Sequence, residues 1–193
     1  MSEPRTLSLQ DPQALAERWF ALAVADDLPA LTRVAAVSKR RLEAAKAVMR
    51  VDAVRYEAFV QALLRGLGDP RPRLRFECAH ALDQFGDERC RGPLAALLDD
   101  PVPRVRWMAM HALSCHACGE GTVAHDPAVR ARITRAALED PSIQVRRHAA
   151  VALGLNGDAA AADSLRKLAS AGADARLKRN AAWALSRLAA TRS

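Results

Sequence analysis

The residues best suited to chemistry lie in one short segment, HALSCHACGEGTVAHD, residues 111–126. Two of its cysteines form a Cys-x-x-Cys pair, and two thiolates at this spacing can bind one tetrahedral zinc ion. His111 lies one helical turn before Cys115 and would face the same side of that helix. Cys115, Cys118, His111 and His125 could therefore form a structural zinc site, with His116 as an alternative fourth ligand. We expect an unmetallated loop with reduced cysteines and no cofactor, and the zinc site is the alternative.

Thiol redox chemistry is a further interpretation of the cysteine pair. A reactive Cys-x-x-Cys commonly lies at a helix N-terminus, where the helix dipole stabilises the thiolate. Cys115 instead follows a helix that is ending, so the partial negative charge there would raise the thiol pKa. The alternating strands and helices that surround a thioredoxin-like motif are also missing. The sequence therefore argues against redox chemistry.

Composition indicates an all-α protein. Half of the 193 residues are hydrophobic but only 4% are aromatic, and runs of β-branched residues are nearly absent. The first residues, MSEPRTLSLQDPQ, lack the apolar core of a signal peptide, and residues 1–10 are expected to be disordered. The longest apolar run, Trp19 to Ala25, is too short to cross a bilayer. We expect a cytoplasmic protein without membrane association.

A repeated segment sets the architecture. DPRPRLRFECAHAL, DPVPRVRWMAMHAL and DPSIQVRRHAAVAL align without gaps, and GADARLKRNAAWAL fits without the Asp-Pro start; they cover residues 69–82, 100–113, 140–153 and 172–185. Small or apolar residues recur on one helical face of each segment. Asp-Pro is expected to start the helix, with Asp as cap and Pro in its first turn. Gly-Asp is expected to end it before a second helix, so each unit is a hairpin that must stack on its neighbours.

The pattern D-P-x-x-x-V-R-x-x-A-x-x-A-L with a Gly-Asp turn resembles the HEAT-repeat family, particularly the short repeats of the phycobilin-lyase type. The resemblance covers residues 69–190 and is weaker upstream, where RLEAAKAV (41–48) keeps part of the pattern. It implies a right-handed α-solenoid of stacked helical hairpins, about five units with the N-terminal ones degenerate and the last incomplete. We predict a single domain over residues 1–193, with degenerate hairpins at 11–68 and regular repeats at 69–193 that carry an inserted loop at 114–126. Upstream helices are expected near 12–25, 28–37, 39–50 and 53–67.

One repeat position is basic in every unit, occupied by Arg75, Arg106, Arg146 and Lys178. We call it the strut position. In HEAT-like repeats this residue typically pairs with the Asp of a neighbouring Asp-Pro turn. The resemblance thus implies that Asp69, Asp100 and Asp140 hold these cations. Much of the formal net charge of +7 would then be architectural.

The residues one, two and five positions after the strut residue are expected to face a partner, because these positions line the concave surface in related HEAT proteins. They give an aromatic and basic strip suited to stacking and to acidic groups. The alternative is that the aromatic residues pack between helices as core. The partner-binding residues we predict are Phe76, Glu77, Trp107, His111, Arg147, His148, Arg179 and Trp183.

We therefore expect a non-catalytic HEAT-repeat scaffold that binds an acidic protein segment through its concave aromatic and basic surface. The alternative is nucleic-acid binding, including activity like that of HEAT-like alkylpurine DNA glycosylases, which the chain resembles in size, basicity and tryptophans. On the strip, only Glu77 offers the carboxylate which that chemistry needs. The paired His-Glu dipeptides of deoxyhypusine hydroxylase are absent, which excludes that activity, and a phycobilin-lyase pocket cannot be recognised. No Ser-His-Asp set, phosphate loop or Rossmann glycine pattern appears.

Overall fold

A computed structural model describes residues 11–35, 39–114, 126–156, 159–170 and 174–190. Within these ranges every regular element is helical, so the all-α prediction is confirmed. In the described part of the chain, short 3-10 helices cover Glu88–Cys90, Leu97–Asp99 and Ala159–Ala161. The α-helices are α1 (Pro12–Val24), α2 (Leu28–Ala35), α3 (Lys39–Val51), α4 (Ala53–Gly66), α5 (Pro72–Phe85), α6 (Arg91–Ala96), α7 (Pro103–Ser114), α8 (Pro127–Glu139), α9 (Ile143–Leu155), α10 (Ala162–Ser170) and α11 (Ala175–Ala190).

The four N-terminal helices begin at the residues expected from the sequence and end within about two residues of them. Side-chain caps set the starts of α1, α2 and α4. The Asp11 carboxylate accepts a hydrogen bond from the Gln13 backbone N–H at 3.1 Å, and Pro12 occupies the first helical position. Such caps satisfy backbone donors that have no partner inside the helix.

The chain divides into two compact units, residues 1–81 and 82–193, with the boundary inside α5. In the first unit, α1 packs against α2, α3 and α4. The rings of Trp19 and Phe59, both fully buried, lie 5.5 Å apart between α1 and α4. This aromatic pair forms the centre of the core of the first unit.

The second unit consists of helices stacked in two layers. In one layer α7 packs against α9 and α9 packs against α11; we call these three helices the first-helix layer. In the other layer α8 contacts α10. Both helices also pack on the first-helix layer, α8 against α9 and α10 against α11. Gly154 permits a close approach of α9 and α11, because a Cβ there would lie 2.7 Å from the Cα of Ala184. This arrangement is that of an α-solenoid, as the repeats predicted.

The Asp-Pro pairs of the repeats do not start helices, which corrects the sequence prediction. α8 ends at Glu139 and α9 begins at Ile143, so Asp140 and Pro141 lie in the turn between them. The Asp140 carboxylate accepts the Ser142 backbone N–H at 2.8 Å and thereby caps the turn. The turn is short enough that α8 and α9, the helices it joins, pack along each other. By contrast, Asp126 and Pro127, like Asp11 and Pro12, form a true helix start.

Arg106 is a strut between consecutive turns, as predicted. Its Nη1 donates to the Asp100 carbonyl oxygen at 2.8 Å. Its Nε and Nη2 donate to the two carboxylate oxygens of Asp140 at 2.8 and 2.7 Å. Both side chains are nearly inaccessible, with exposed fractions of 10% and 7%. A buried bidentate pair of this kind fixes the position of one turn relative to the next.

The strut shifts by one residue at the next step. Arg147 donates from Nε and Nη2 to Asp174 at 3.0 and 2.5 Å. Arg146, which occupies the strut position, was expected to form this type of pair. The reason is visible in the sequence, because the fourth segment has no Asp-Pro start and its first carboxylate comes two residues later, at Asp174. The last step is therefore held by a different arginine.

We predict that Arg106→Met lowers the free energy of unfolding by about 3 kcal/mol, because it leaves the buried Asp140 carboxylate without its partner. Chemical denaturation monitored by circular dichroism measures this change. Arg166→Met is the matched control, since the Arg166–Asp163 pair is exposed and should change stability by less than about 1 kcal/mol. Equal effects of the two substitutions would contradict the role given to Arg106.

Candidate functional site

The first-helix layer brings aromatic rings of neighbouring repeats together. The centroids of the Trp107 indole on α7 and the His148 imidazole on α9 lie 5.0 Å apart, with the rings inclined at 57°. The His111 ring, one turn along α7, lies 6.3 Å from Trp107. All three side chains are partly exposed. Three of the residues predicted for partner binding therefore form one cluster.

A cavity adjoins this cluster between the first turns of α7 and α9. Its volume is about 400 Å³. The Trp107 and His148 rings offer flat surfaces, and the other side chains add a guanidinium, an amide and a hydroxyl group. The full lining is Pro103, Arg104, Trp107, Ser142, Gln144 and His148. Such a cavity suits an apolar or planar group next to a negatively charged one.

The environment of His148 favours its neutral form. Burial lowers the pKa of His148, and the nearby charges of His111 and Arg176 lower it further. A neutral imidazole both donates and accepts a hydrogen bond. His148 thus adds little charge to the cluster, while the Arg104 guanidinium lines the adjoining cavity.

A buried carboxylate that the sequence analysis missed lies beside His111. The Asp83 Oδ2 atom is 3.7 Å from His111 Nε2, and only 1% of the Asp83 side chain is exposed. Oδ2 accepts a hydrogen bond from Gln84 at 2.7 Å, whereas Oδ1 has no hydrogen-bond partner within the described ranges. The sequence contained a signal for Asp83, because the carboxylate departs from the repeat pattern. The next two segments have Ser114 and Gly154 at this position.

Arg147 was predicted to face a partner, but its guanidinium is bound to Asp174 inside the unit. This hydrogen bond is the main reason that the pKa of Asp174 is lowered to about 2. The Arg147 backbone carbonyl oxygen accepts a hydrogen bond from Asn180 Nδ2 at 2.9 Å. Arg147 therefore joins α9 to α11. Of the other cations at this end of α11, Lys178 is half-buried, whereas Arg176 and Arg179 are exposed.

Trp183 lies further along α11 and is 41% exposed. The Arg187 guanidinium carbon lies 5.8 Å from the centre of its ring, within range of a cation–π interaction. The Trp183 ring also borders Gly154, where an added Cβ would lie 3.1 Å from it. Trp183 thus gives α11 an exposed aromatic surface next to a cation.

The two predicted residues of the first unit have a different environment. Phe76 is buried, with its ring centroid 6.2 Å from that of His80. Glu77 lines a cavity of about 380 Å³ together with Arg33, Arg71 and Arg73. Phe76 is thus part of the core, the alternative that the sequence analysis left open for the aromatic residues.

The proposed metal ligands are only partly described. His111 lies in the last turn of α7, whereas Cys115, Cys118 and His125 lie outside the described residues. Within the described ranges no group of three or more His, Cys, Asp or Glu side chains could hold a metal ion. The other two thiols are buried, and burial raises the pKa of Cys78 to about 12.

Comparison with known proteins defines the class of the chain. A family model for HEAT repeats matches residues 28–114, 56–129 and 130–193. The fold is also similar to the crystal structure of an engineered protein from the Northeast Structural Genomics Consortium, with a TM-score of 0.54 and 18% identity over 95% of this chain and 94% of that one. No curated protein sequence matches significantly.

The chain belongs to the HEAT-repeat family, as its repeat pattern indicated. HEAT repeats form helical scaffolds that generally mediate protein interactions. In the described part of the chain, no helix combines the length and the apolar character that a membrane span requires.

We predict that His148 makes the protein less stable as the pH falls from about 7.5 to about 5.5. Because its pKa is lowered by folding, the unfolded chain binds this proton more readily. The contribution of neutral His148 to stability is complete above about pH 6.5, the pKa of histidine in the unfolded chain. It is lost as the pH falls towards the lower pKa that His148 has in the folded protein. The loss of unfolding free energy over this range should be smaller in His148→Asn than in the wild type. An equal loss in both proteins would refute the assignment.

Proposed function

We propose that the chain is a non-catalytic scaffold that binds an acidic protein segment through the first-helix layer. The main support is the distribution of charge, since α7, α9 and α11 contain arginine or lysine and neither Asp nor Glu. The aromatic cluster of Trp107 and His148 lies in the same layer, next to its cavity. Aromatic and arginine side chains together are typical of the residues that dominate protein interfaces.

Two cations of this layer are already used inside the unit. Arg106 is bound to Asp140 and Arg147 to Asp174. Arg176 and Arg179, by contrast, are exposed near the start of α11. Arg176 lies in the first turn, near the positive end of the helix dipole, where a cation is electrostatically unfavourable. Since Arg176 does not help the helix, a role in attracting an acidic partner accounts for it better than a role in folding.

Affinity capture with charge-matched variants tests this proposal. We expect Arg176→Glu together with Arg179→Glu to weaken binding of the captured protein by about tenfold or more, because two attractive charges become repulsive. Arg135→Glu with Arg166→Glu is the control, since these exposed arginines lie on α8 and α10 and the change in net charge is the same. Capture is carried out after nuclease treatment, and the affinity of each captured protein is measured by calorimetry.

Two further assays test the competing function, nucleic-acid binding. Nucleic-acid binding would give a mobility shift with DNA or RNA at about 50 mM salt, and that shift would weaken steeply as salt increases. Release of a base from alkylated duplex DNA would indicate a glycosylase-like activity. Either result, or equal binding by the two charge-reversed variants, would contradict the proposal.

We also propose that the segment after α7 binds structural zinc through Cys115, Cys118, His111 and His125. The described support is Asp83, whose Oδ2 lies 3.7 Å from His111 Nε2. A carboxylate near one imidazole nitrogen favours a proton there, and within hydrogen-bond distance it orients the ring and raises the basicity of the other nitrogen. This arrangement would leave His111 Nδ1 for the metal.

Metal analysis of protein purified without a histidine tag tests the zinc proposal. We predict about one equivalent of zinc, which is lost in the Cys115→Ser, Cys118→Ser double variant because both thiolate ligands are removed. Cys90→Ser is the control and should keep the metal. A zinc content below about 0.2 equivalents would contradict the proposal.

A further inference from the structure

One side of α7 contacts the next helix of the first-helix layer. The Trp107 ring on α7 lies 5.0 Å from the His148 ring on α9. At the other end of the two helices, Asn156 Nδ2 donates a hydrogen bond to Ser114 Oγ at 3.3 Å. Trp107 and Ser114 are seven residues apart and therefore share one helix face.

The same side of α9 contacts α11. Arg147 and Gly154 are aligned in the repeat with Trp107 and Ser114 of α7. The Arg147 guanidinium binds Asp174, directly before α11, and a Cβ at Gly154 would lie 2.7 Å from an α11 backbone atom. Each first helix thus packs on the next one through the same repeat positions.

On α11 the aligned residues are Arg179 and Ser186, and both are exposed. Ala182 lies between them and is also exposed, whereas the aligned residues of α7 and α9, Met110 and Ala150, are buried. The described neighbours of α11 are α9 and α10. We call the side formed by Arg179, Ala182 and Ser186 the open side of α11, because in the described part of the chain no further first helix covers it.

The open side of α11 is basic. Arg176 lies three residues before Arg179 and Trp183 four residues after it, so these side chains share a helix face. Arg187 follows Trp183 by one further turn, and its guanidinium lies 5.8 Å from the centre of that ring. All four side chains are exposed, and α11 contains neither Asp nor Glu. Two copies of this side would place arginine against arginine, so the charge favours an acidic ligand over a second copy of the chain.

We propose that an acidic helix of the partner packs on the open side of α11, in the position that a further first helix of the solenoid would occupy. The contact between α9 and α11 is the template. There Asp174 binds Arg147 and also caps the Leu177 backbone N–H at 2.6 Å. Since Arg179 is aligned with Arg147, it binds a carboxylate at the start of the docked helix. This inference rests on the proposed function and adds that the part of the acidic segment that contacts Arg176 and Arg179 is helical.

The first test compares two fluorescein-labelled peptides by fluorescence anisotropy with the full chain. Both have about sixteen residues, start with Asp, and contain alanine with leucine and glutamate recurring once per helical turn. In the second peptide two central alanines are replaced by D-alanine, which disrupts the right-handed helix at the same composition and charge. We expect the helical peptide to bind about tenfold more tightly, because its bound shape is already formed. Equal affinities would overturn the inference.

The second test blocks the open side without changing its charge. Ala182→Gln adds a long side chain at an exposed position where glutamine suits the helix. It should weaken binding of the helical peptide by about tenfold, because the two helices can no longer approach closely. Ala131→Gln is the matched control, since Ala131 is exposed on α8, and it should bind within about twofold of the wild type. The same affinity in both variants would contradict the proposed position of the helix.

A double-mutant cycle tests the role of Arg179. Arg179→Met and replacement of the first Asp of the peptide by Ala should each weaken binding by about fivefold. Combined, they should weaken it little more than either change alone, because both remove the same pair. Fully additive effects would show that Arg179 does not bind this carboxylate.

The outcomes distinguish this inference from the proposed function. If the D-alanine peptide binds as tightly as the helical one and Arg176→Glu with Arg179→Glu loses both, the first-helix layer binds acidic segments and the helical form is wrong. If this charge reversal changes the binding of neither peptide, both proposals fail. If the wild type sediments as a dimer and Ala182→Gln as a monomer, a second copy covers the open side and the inference is overturned.

Discussion

The buried pair between Arg106 and Asp140 is the constraint on which the second unit depends. The Arg106 guanidinium binds the Asp100 carbonyl oxygen before α7 and the Asp140 carboxylate before α9. It therefore fixes the distance and the register between α7 and α9. Trp107 follows Arg106 directly, and His148 lies on the helix that begins after Asp140. The 5.0 Å between these two rings is therefore a consequence of the strut.

The last repeat departs from this scheme, and the departure links architecture to function. Since Asp174 lies two residues later than the aspartates of the other segments, Arg147 reaches it and leaves the position of a partner-facing side chain. Arg146 keeps the strut position, and its charge contributes to the lowered pKa of Asp174. The irregular end leaves Arg176 and Arg179 exposed, and the proposed binding of an acidic segment rests on them.

The sequence predicted the helices well, because apolar periodicity and capping residues are local properties. The sequence analysis placed the Asp-Pro pairs of the repeats at helix starts, which was wrong. The same dipeptide caps a helix at Asp126 but forms a turn at Asp140, because α8 ends directly before Asp140. Among contacts between repeats, the resemblance predicted the Arg106–Asp140 pair. It did not predict the proximity of Asp83 to His111, which depends on packing between helices. Phe76 and Trp107 share a repeat position, yet only Phe76 is buried, because their neighbours differ.

The site of partner contact is the central claim, and photo-crosslinking tests it most directly. A benzoyl-phenylalanine introduced at Gln144, which lines the cavity beside Trp107 and His148, samples the first-helix layer. The same group at Arg135 samples α8 in the other layer. We expect cross-links from position 144 to an acidic segment of one protein and none from position 135. Cross-links only from position 135, or from position 144 to nucleic acid, would contradict this claim.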